Sequence, residues 1–435
     1  MGTFQNLGAS ENPLSPDLRV ESDRTPINPE PERRTRILKL KLSTQIFLGI
    51  LLGLLAGVLL GEHTSYVRPV GTIFLRLLKM IIVPLILASV VTGVAGIGDV
   101  RNLGRIGGKT ILYYLTTTGI SVIIGLILVN LVRPGVGADI GLSAIPERLK
   151  EGGPSLLDTM LRIVPTNPFQ ALAEADVLPL IAFALIFGAV LTTLGEKGRT
   201  LIGFFDGLNE AMLKITDLVM RLAPLGVFAL MADIVGHTGI GVLKPLIKYM
   251  AVVLIGLLIH GAGVLPLLLH GLGKTSAFAF AKQMSSALAT AFTTSSSSAS
   301  LPVSMECAEE NAGLPNRIVS FVLPLGATIN MDGTALYESV AAIFIAQAYG
   351  IELTLGSQIV IFLTATLAAI GAAGIPGAGL VTMAVVLKAV GLPLEGIGLV
   401  LAVDRILDMC RTTVNVWGDC VGAAVIARSE ERRVT

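Results

Sequence analysis

The stretch DRILDMCRTTVNVWGD, residues 404–419, lies in an apolar region near the end of the chain and carries five polar side chains that recur every three or four residues. An ionised group at the centre of a membrane-spanning helix costs about 2.5 to 3.5 kcal/mol, so their position needs an explanation. At about 100° per helical residue, all five lie within an arc of about 80°. They predict one polar stripe that faces the protein interior: Asp404, Asp408, Arg411, Asn415 and Asp419.

This stripe carries a surplus of negative charge. Its three carboxylates face a single guanidinium, so a further cation is needed to balance them. One interpretation is an interhelical salt-bridge network that serves assembly alone. The other interpretation, which explains the surplus, is a site for cations that come from outside the protein.

Composition indicates that most of the chain lies in a membrane. Of 435 residues, 53% are hydrophobic and 14% are charged. In soluble proteins, charged residues make up about a quarter of the chain. The formal net charge of +1 provides no basic surface for phosphates, which excludes nucleic acid as a partner. Residues 1–37 differ from the rest, because they are rich in Pro, Ser and mixed charge and predict a disordered tail.

Eight apolar runs are long enough to cross a lipid bilayer, for which about 20 helical residues suffice. Basic residues precede the first run and follow the last one, so the positive-inside rule places both termini in the cytoplasm. The sequence therefore predicts a multi-pass protein of the plasma membrane or bacterial inner membrane. The runs lie near 43–61, 68–98, 107–133, 174–194, 199–232, 241–270, 314–349 and 393–427.

Two further stretches, 276–307 and 352–390, are each a pair of short apolar segments around a polar or glycine-rich centre. The first centre is Ser295 to Pro302 and the second is Ile370 to Gly379. Irregular backbone at membrane depth is tolerated only where protein buries it or water reaches it. Both stretches therefore predict re-entrant helical hairpins whose tips line a cavity. For the serine run, a flexible linker is the alternative.

Polar residues also interrupt the seventh run. Asn330 and Asp332 are about 200° apart on a regular helix, so they address one site only if the helix breaks there. We expect Gly333 to make this break inexpensive. Carbonyls freed by the break, together with carboxylate and amide oxygens, suit a hard cation such as Na⁺. In the third run, Tyr114, Thr117 and Thr118 share a helix face and add hydroxyl oxygens, a weak signal when taken alone.

Four motifs together resemble one known family. They are SSSSASLP at 295–302, TINMDGTALY at 328–337, GAAGIPGAG at 371–379 and DRILDMCRTTVNVWGD at 404–419. In this order they are similar to motifs of the dicarboxylate/amino acid:cation symporters, the glutamate transporter family. The resemblance covers about residues 38–429 and implies a secondary transporter without a cofactor, not an enzyme.

The resemblance implies an all-α polytopic membrane protein with eight transmembrane helices, two re-entrant hairpins and inverted repeats, assembled as a homotrimer. A scaffold would hold a mobile transport domain that slides through the bilayer as an elevator, with the second hairpin as the outer gate. The implied boundaries are 1–37 for the cytoplasmic N-terminal tail, 38–106 for scaffold helices one and two, 107–133 for transport-domain helix three, 134–232 for scaffold helices four and five, 233–427 for the remaining transport domain and 428–435 for the cytoplasmic C-terminal tail.

The resemblance also implies roles for single residues. Arg411 would pair bidentately with the side-chain carboxylate of the substrate, Asp408 would hold its α-ammonium, and the tip near Ser297 would bind its α-carboxylate. The implied substrate contacts are Ser296, Ser297, Ser298, Thr334, Ile375, Gly379, Asp408, Arg411, Thr412 and Asn415.

Three sodium sites follow from the same resemblance. The first would use Asn330, Asn415, Asp419 and the carbonyl of Gly326. The second would use the carbonyls of Thr328, Ala369, Ile370 and Ala372. The third would use Tyr114, Thr117, Thr118, Asn330 and Asp332.

Charge favours one substrate class within the family. Arg411 argues against neutral amino acids, because a buried guanidinium would remain unpaired. Asp408 argues against C4-dicarboxylates, which bring no amine to balance it. Asp332 and Asp419 together favour sodium over coupling to protons alone. An acidic amino acid, glutamate or aspartate, is the expected substrate, and a neutral amino acid or C4-dicarboxylate transporter is the alternative.

Glu338 lies at membrane depth and matches a glutamate of proton- and potassium-coupled members of the family. The resulting hypothesis is that a proton enters with the substrate and K⁺ leaves on the return step. One departure concerns an extra arginine that characterised members place at the first hairpin tip or beside the position of Asp408. Ser295 and Met409 occupy those places here.

An intramembrane hydrolase is a remote alternative from another class. A serine nucleophile needs a base, and the four histidines lie outside the hairpins and the last apolar run. Two aspartates that share a proton, as in aspartyl proteases, would have to be Asp332 and Asp419.

Overall fold

The computed structural model describes residues 42–96, 100–138, 161, 163–372, 374 and 376–431. Throughout these residues every regular element is a helix. The predicted tail at 1–37 and the substrate contact predicted at Ile375 lie outside them.

The first half of the chain forms mainly long helices, most of them apolar. A 3₁₀ turn, Gly61–Tyr66, connects the first two of them. The helix that begins at Leu243 continues through π-helical turns as far as Gly273. The elements are α1 (Leu42–Leu60), α2 (Arg68–Gly96), α3 (Val100–Val132), α4 (Pro168–Glu174), α5 (Val177–Leu191), α6 (Glu196–Arg221), α7 (Ala223–Thr238) and α8 (Leu243–Leu258).

The second half contains shorter helices and ends in the longest one. Its elements are α9 (Ala277–Gln283), α10 (Ser285–Thr294), α11 (Ser297–Glu306), α12 (Asn316–Ile329), α13 (Asp332–Ala348), α14 (Leu355–Ala369), α15 (Ala378–Ala389) and α16 (Ile397–Glu431).

By length and apolarity, five helical segments of the described chain could cross a membrane. A sixth is the pair α6 and α7, which is bent by 52°. The other two predicted crossings correspond to α5, which has 15 residues, and to α16, which is long but carries the charged stripe. The protein is thus a multi-pass helical membrane protein, while the count of eight crossings stays a prediction.

The helices pack in two groups. In one group, α1 packs on α7, and α2 packs on α5, α6 and α7. Glycines on one face of α1 allow this contact, because a Cβ on Gly49 would lie 2.5 Å from the carbonyl oxygen of Pro224 and one on Gly53 2.7 Å from that of Phe228. In the other group, α13 packs on α3 and α16, and α16 also contacts α8, α10 and α12.

The two stretches predicted as hairpins are helix–turn–helix units. In the first, α10 packs against α11, and both contact α16. Its turn is shorter than the predicted centre, because only Ser295, with φ of 52°, and Ser296 leave the helix, and Pro302 lies inside α11. The side chain of Ser296 caps α11 by accepting a hydrogen bond from Ala299 N. In the second unit, α14 packs against α15.

Candidate functional site

The predicted break in the seventh apolar run occurs between α12 and α13. Asn330 and Met331 leave helical geometry, with ψ of 90° and 55°. Gly333 has a different role from the one expected, because it lies within α13 beyond the break. A Cβ there would lie 2.5 Å from the carbonyl oxygen of Arg411, so the missing side chain allows α13 and α16 to approach closely.

The polar stripe of α16 faces the interior, as predicted. Its five side chains are all buried. Arg411 donates from Nη1 to Asp404 Oδ1 at 2.8 Å and from Nε to Asp408 Oδ1 at 3.1 Å. Its guanidinium also lies 4.2 Å from the ring centroid of Tyr337, a cation–π contact. A buried guanidinium between two carboxylates is thus the electrostatic centre of this region.

A small cavity of about 10 Å³ lies beside Arg411, where the tips of both hairpins meet α13 and α16. The side chains nearly fill it, since even one water molecule needs about 10 to 15 Å³. Seven of the predicted substrate contacts line this cavity: Ser297, Thr334, Gly379, Asp408, Arg411, Thr412 and Asn415. Ser295 and Met331, which were not predicted to contact substrate, line it as well.

Ser296 and Ser298 join the two hairpin tips instead of lining the cavity. Ser296 Oγ donates to Gly374 O at 2.6 Å, and Ser298 N donates to the same oxygen at 3.1 Å. The second tip is fixed on its other side by Gly377 N, which donates to Asp408 Oδ2 at 3.1 Å. The cavity is therefore closed by backbone groups of the second tip, which bond to Ser296, Ser298 and Asp408.

Asn415 connects the cavity to the helix break. Its Oδ1 accepts from Gly333 N at 2.7 Å, and its Nδ2 donates to Thr334 Oγ1 at 3.0 Å. The amide thereby caps the start of α13.

Residues of the predicted third sodium site converge on Asp332. Its Oδ1 accepts from Thr118 Oγ1 at 2.7 Å and from Thr117 Oγ1 at 3.2 Å. Asn330 Oδ1 lies 3.4 Å from the same Thr117 oxygen. Tyr114 is adjacent, but its hydroxyl donates to Val322 O at 2.7 Å. Four of the five residues thus form one oxygen cluster that suits a hard cation.

Two residues of the predicted first site, Asn330 and Asp419, contact each other next to the helix break. Asn330 Nδ2 donates to Asp419 Oδ1 at 2.9 Å. A Cβ on Gly326 would lie 2.5 Å from the same carboxylate oxygen, so this carboxylate packs directly on the backbone of α12. Asn330 therefore bonds Asp419 directly and is connected to Asp332 through the hydroxyl of Thr117, and both aspartates are buried.

The four carbonyls of the predicted second site belong to the end of α12 and to the second hairpin. Thr328 and Ala372 line one cavity of about 370 Å³, between α2, α6, α12 and the two hairpin tips. Ala369 ends α14. The Ile370 carbonyl oxygen faces α2, because a Cβ on Gly93 would lie 3.3 Å from it.

Glu338 is fully buried in α13. Its polar neighbour is Thr382 of α15, and neither carboxyl oxygen makes a well-formed hydrogen bond among the described residues. A buried carboxyl group without such bonds is far less costly when protonated than when ionised.

Sequence reasoning missed two contributors to these clusters. His260, in the extension of α8, is buried, and its Nε2 lies 3.0 Å from Asp332 Oδ2. Its presence at the centre of an apolar span was the available signal. Ser121 Oγ donates to the backbone oxygen of Asp332 at 2.8 Å, and its position one turn after Thr117 indicated the same helix face.

These features define a class of protein. A multi-pass helical fold, two helix–turn–helix units whose tips meet and a buried set of opposite charges at a helix break are typical of a secondary transporter. The family model described as the sodium:dicarboxylate symporter family matches residues 42–429, and the chain belongs to this family. The resemblance of the motifs is thereby confirmed, and a transporter is favoured over the hydrolase alternative.

Curated relatives extend along nearly the whole chain. The proton/sodium-glutamate symport protein of Bacillus subtilis is 40% identical over 403 residues, which cover 90% of this chain and 94% of that protein. The human excitatory amino acid transporter 3 is 40% identical over 446 residues, with coverage of 88% and 84%. The proton/glutamate-aspartate symporter of Escherichia coli is 38% identical over 413 residues, with coverage of 91% and 94%.

Proposed function

We propose that this protein is a sodium-coupled symporter of acidic amino acids, glutamate or aspartate. The pairing of Arg411 with Asp408 beside the closed cavity carries this proposal. The guanidinium is suited to a side-chain carboxylate, and the carboxylate to an α-ammonium. An acidic amino acid brings both groups, whereas a neutral one brings no side-chain carboxylate for Arg411. The names of the Bacillus, human and E. coli relatives support the same substrate class.

Substrate would bind where Arg411, Asp408, Thr412 and Asn415 face the two hairpin tips. Thr334 and Ser297 add hydroxyl groups at the same cavity. The cavity of about 10 Å³ is too small for an amino acid, so binding requires one tip to move. The second hairpin is the better candidate, because Gly374 O and Gly377 N, on which the closure depends, belong to it.

Sodium ions would travel with the substrate. The oxygen cluster of Thr117, Thr118, Asn330 and Asp332 and the pair Asn330 and Asp419 are the proposed sites. Their buried carboxylates supply negative charge that a monovalent cation neutralises. Because Asn330 and Asn415 lie between the cation and substrate clusters, ion binding would organise the substrate site. This arrangement gives the coupling a physical route.

Glu338 is the proposed carrier of a co-transported proton. It is buried beside Thr382, and its carboxyl oxygens make no well-formed hydrogen bond among the described residues. Potassium return, if Glu338 also governs it, would require release of that proton first.

We further propose eight transmembrane helices, two hairpins and an elevator motion. The packing of α1, α2, α5, α6 and α7 as one group supports a scaffold, and the packing of α3, α8 and α10–α16 supports a transport domain. The trimer, the bilayer location and the cytoplasmic termini belong to the same proposal.

Uptake in proteoliposomes tests the function. Radiolabelled aspartate should accumulate when an inward Na⁺ gradient is imposed, and it should not when choline replaces Na⁺. Independent variation of the pH gradient and of internal K⁺ then examines the role of Glu338. The absence of Na⁺-dependent uptake of both aspartate and glutamate would refute the proposal.

A further inference from the structure

A second arginine lies beside the proposed substrate site, although it is outside the predicted contact set. Arg405 is three residues before Asp408 on α16, and its Nη1 lies 3.6 Å from Asp408 Oδ2. This distance indicates an ion pair without a well-formed hydrogen bond. Asp408 is thus contacted by cations on both of its oxygens, with Arg411 at Oδ1 and Arg405 at Oδ2.

Arg405 keeps unused hydrogen-bonding capacity. Its Nε is buried and has no partner in the described part of the chain. Its side chain is 25% exposed and lines a cavity of about 200 Å³ between α1, α6, α7, α16 and the second hairpin tip. The opposite wall of that cavity is apolar, with Met220 and Val227 among its residues. The guanidinium therefore has room to move toward or away from Asp408.

Arg405 also changes the net charge of the site. Asp404, Asp408 and Arg411 alone sum to −1, and Arg405 brings the sum to zero. Guanidinium stays protonated at any physiological pH, so this contribution is permanent. Asp408 consequently has a protein-supplied cation besides the α-ammonium that a substrate would bring.

We propose that Arg405 determines substrate selectivity by balancing Asp408 when a ligand has no amine. This inference rests on the proposed function and deepens it. An amino acid places its ammonium at Asp408, and Arg405 is then displaced toward the cavity. When a dicarboxylate without an amine binds, Arg405 stays paired with Asp408 and compensates the negative charge of that side chain. The protein should therefore bind a dicarboxylate such as succinate, more weakly than aspartate, and lose this tolerance without Arg405.

The test compares Arg405→Met with Arg405→Lys, which retains the charge. Aspartate uptake into proteoliposomes is measured at saturating Na⁺ with succinate as the inhibitor. We expect the ratio of the succinate inhibition constant to the aspartate KM to rise about tenfold in Arg405→Met and to stay within twofold in Arg405→Lys. Arg221→Met is the matched control, because this arginine is exposed and pairs with Asp217 on α6.

The outcomes separate the two proposals. Na⁺-dependent aspartate uptake by the unmodified protein tests the function, and the succinate ratio tests the role of Arg405. Equal changes of both constants in Arg405→Met would indicate a merely structural role and overturn the inference. Failure of succinate to compete in the unmodified protein would overturn it as well. If Arg405→Met yields no uptake, thermal stabilisation of the purified variants by aspartate and by succinate gives the same ratio.

Discussion

Arg411 is the residue on which substrate choice depends most directly. It is almost completely buried and paired with two carboxylates, so its charge is fully committed to this site. Replacement by cysteine should abolish uptake of aspartate and glutamate, because the partner of the side-chain carboxylate is lost. Uptake of neutral amino acids such as serine should become measurable. Competition assays with serine and aspartate check this expectation, and aspartate uptake retained by Arg411→Cys would contradict it.

Substitution of His260 tests the role of the proposed sodium cluster separately from that of the substrate site. Its ring nitrogen lies 3.0 Å from Asp332 Oδ2 and fixes the orientation of that carboxylate. His260→Leu should raise the Na⁺ concentration for half-maximal uptake by about tenfold, because partners of a cation ligand typically contribute this much affinity. His260→Gln retains an N–H donor and should restore most of the loss. A KM for aspartate that changes while Na⁺ dependence does not would contradict this role.

At the scale of the element, the turn of the second hairpin depends on glycine. Gly377 has φ of 79°, and a Cβ there would lie 2.6 Å from Met220 Cε. Gly377→Ala should reduce the rate of uptake severalfold, because backbone strain of about 1 kcal/mol adds to this clash at the group that bonds Asp408. Met220→Ala in the same protein should restore part of the rate. Gly241→Ala, with open space around it, is the control.

The predictability of these elements differs for physical reasons. The stripe of α16 and the break at Asn330 follow from helical periodicity and from the cost of buried charge, both of which are local properties. The first hairpin was predicted with too long a turn, since Ser297 to Pro302 are compatible with a helix once Ser296 caps it. The ion pair of Arg405 with Asp408 is also local, because the two residues are three apart on α16 and share a helix face. The contact of His260 with Asp332 is not local, because it depends on the packing of α8 and its extension against α13.

At the scale of the whole molecule, an ion-pair cluster connects the ends of α3 and α16. Glu430 accepts hydrogen bonds from Arg105 and from Lys109 Nζ, the latter at 2.6 Å. These partners lower the pKa of Glu430 to about 2. Because the folded-state pKa lies below the unfolded value of about 4.3, the cluster stabilises the protein above that value and loses its effect as the pH falls toward 2.

Glu430→Gln should therefore lower the unfolding temperature at pH 7 by a small amount, since the partners are partly exposed. The difference from the unmodified protein should persist down to about pH 4.5 and shrink below it. Scanning calorimetry or fluorescence at a series of pH values measures this. Glu431→Gln, which breaks the exposed pair with Arg428, is the control. A difference that grows on acidification would contradict the assignment.

The proposed elevator motion leads to a prediction about two residues outside the proposed substrate site. Lys79 of α2 and Glu395, just before α16, lie 3.3 Å apart and connect the two packed groups of helices. If these groups slide past each other, a covalent link between them must stop uptake. A Lys79→Cys/Glu395→Cys double variant treated with a flexible bismaleimide should lose uptake, and each single variant should keep it. Mass spectrometry of the digested protein confirms that the link has formed.

A linked pair within one group provides the matched comparison. Glu210 and Lys214 pair at 2.6 Å on α6, so a bismaleimide between cysteines at these positions joins one turn of one helix to the next. Uptake should survive this link, because no motion between the groups is restrained. If the link between positions 79 and 395 also leaves uptake at full rate, the two groups do not move relative to each other during transport, and hairpin movement alone has to expose the site to both sides of the membrane.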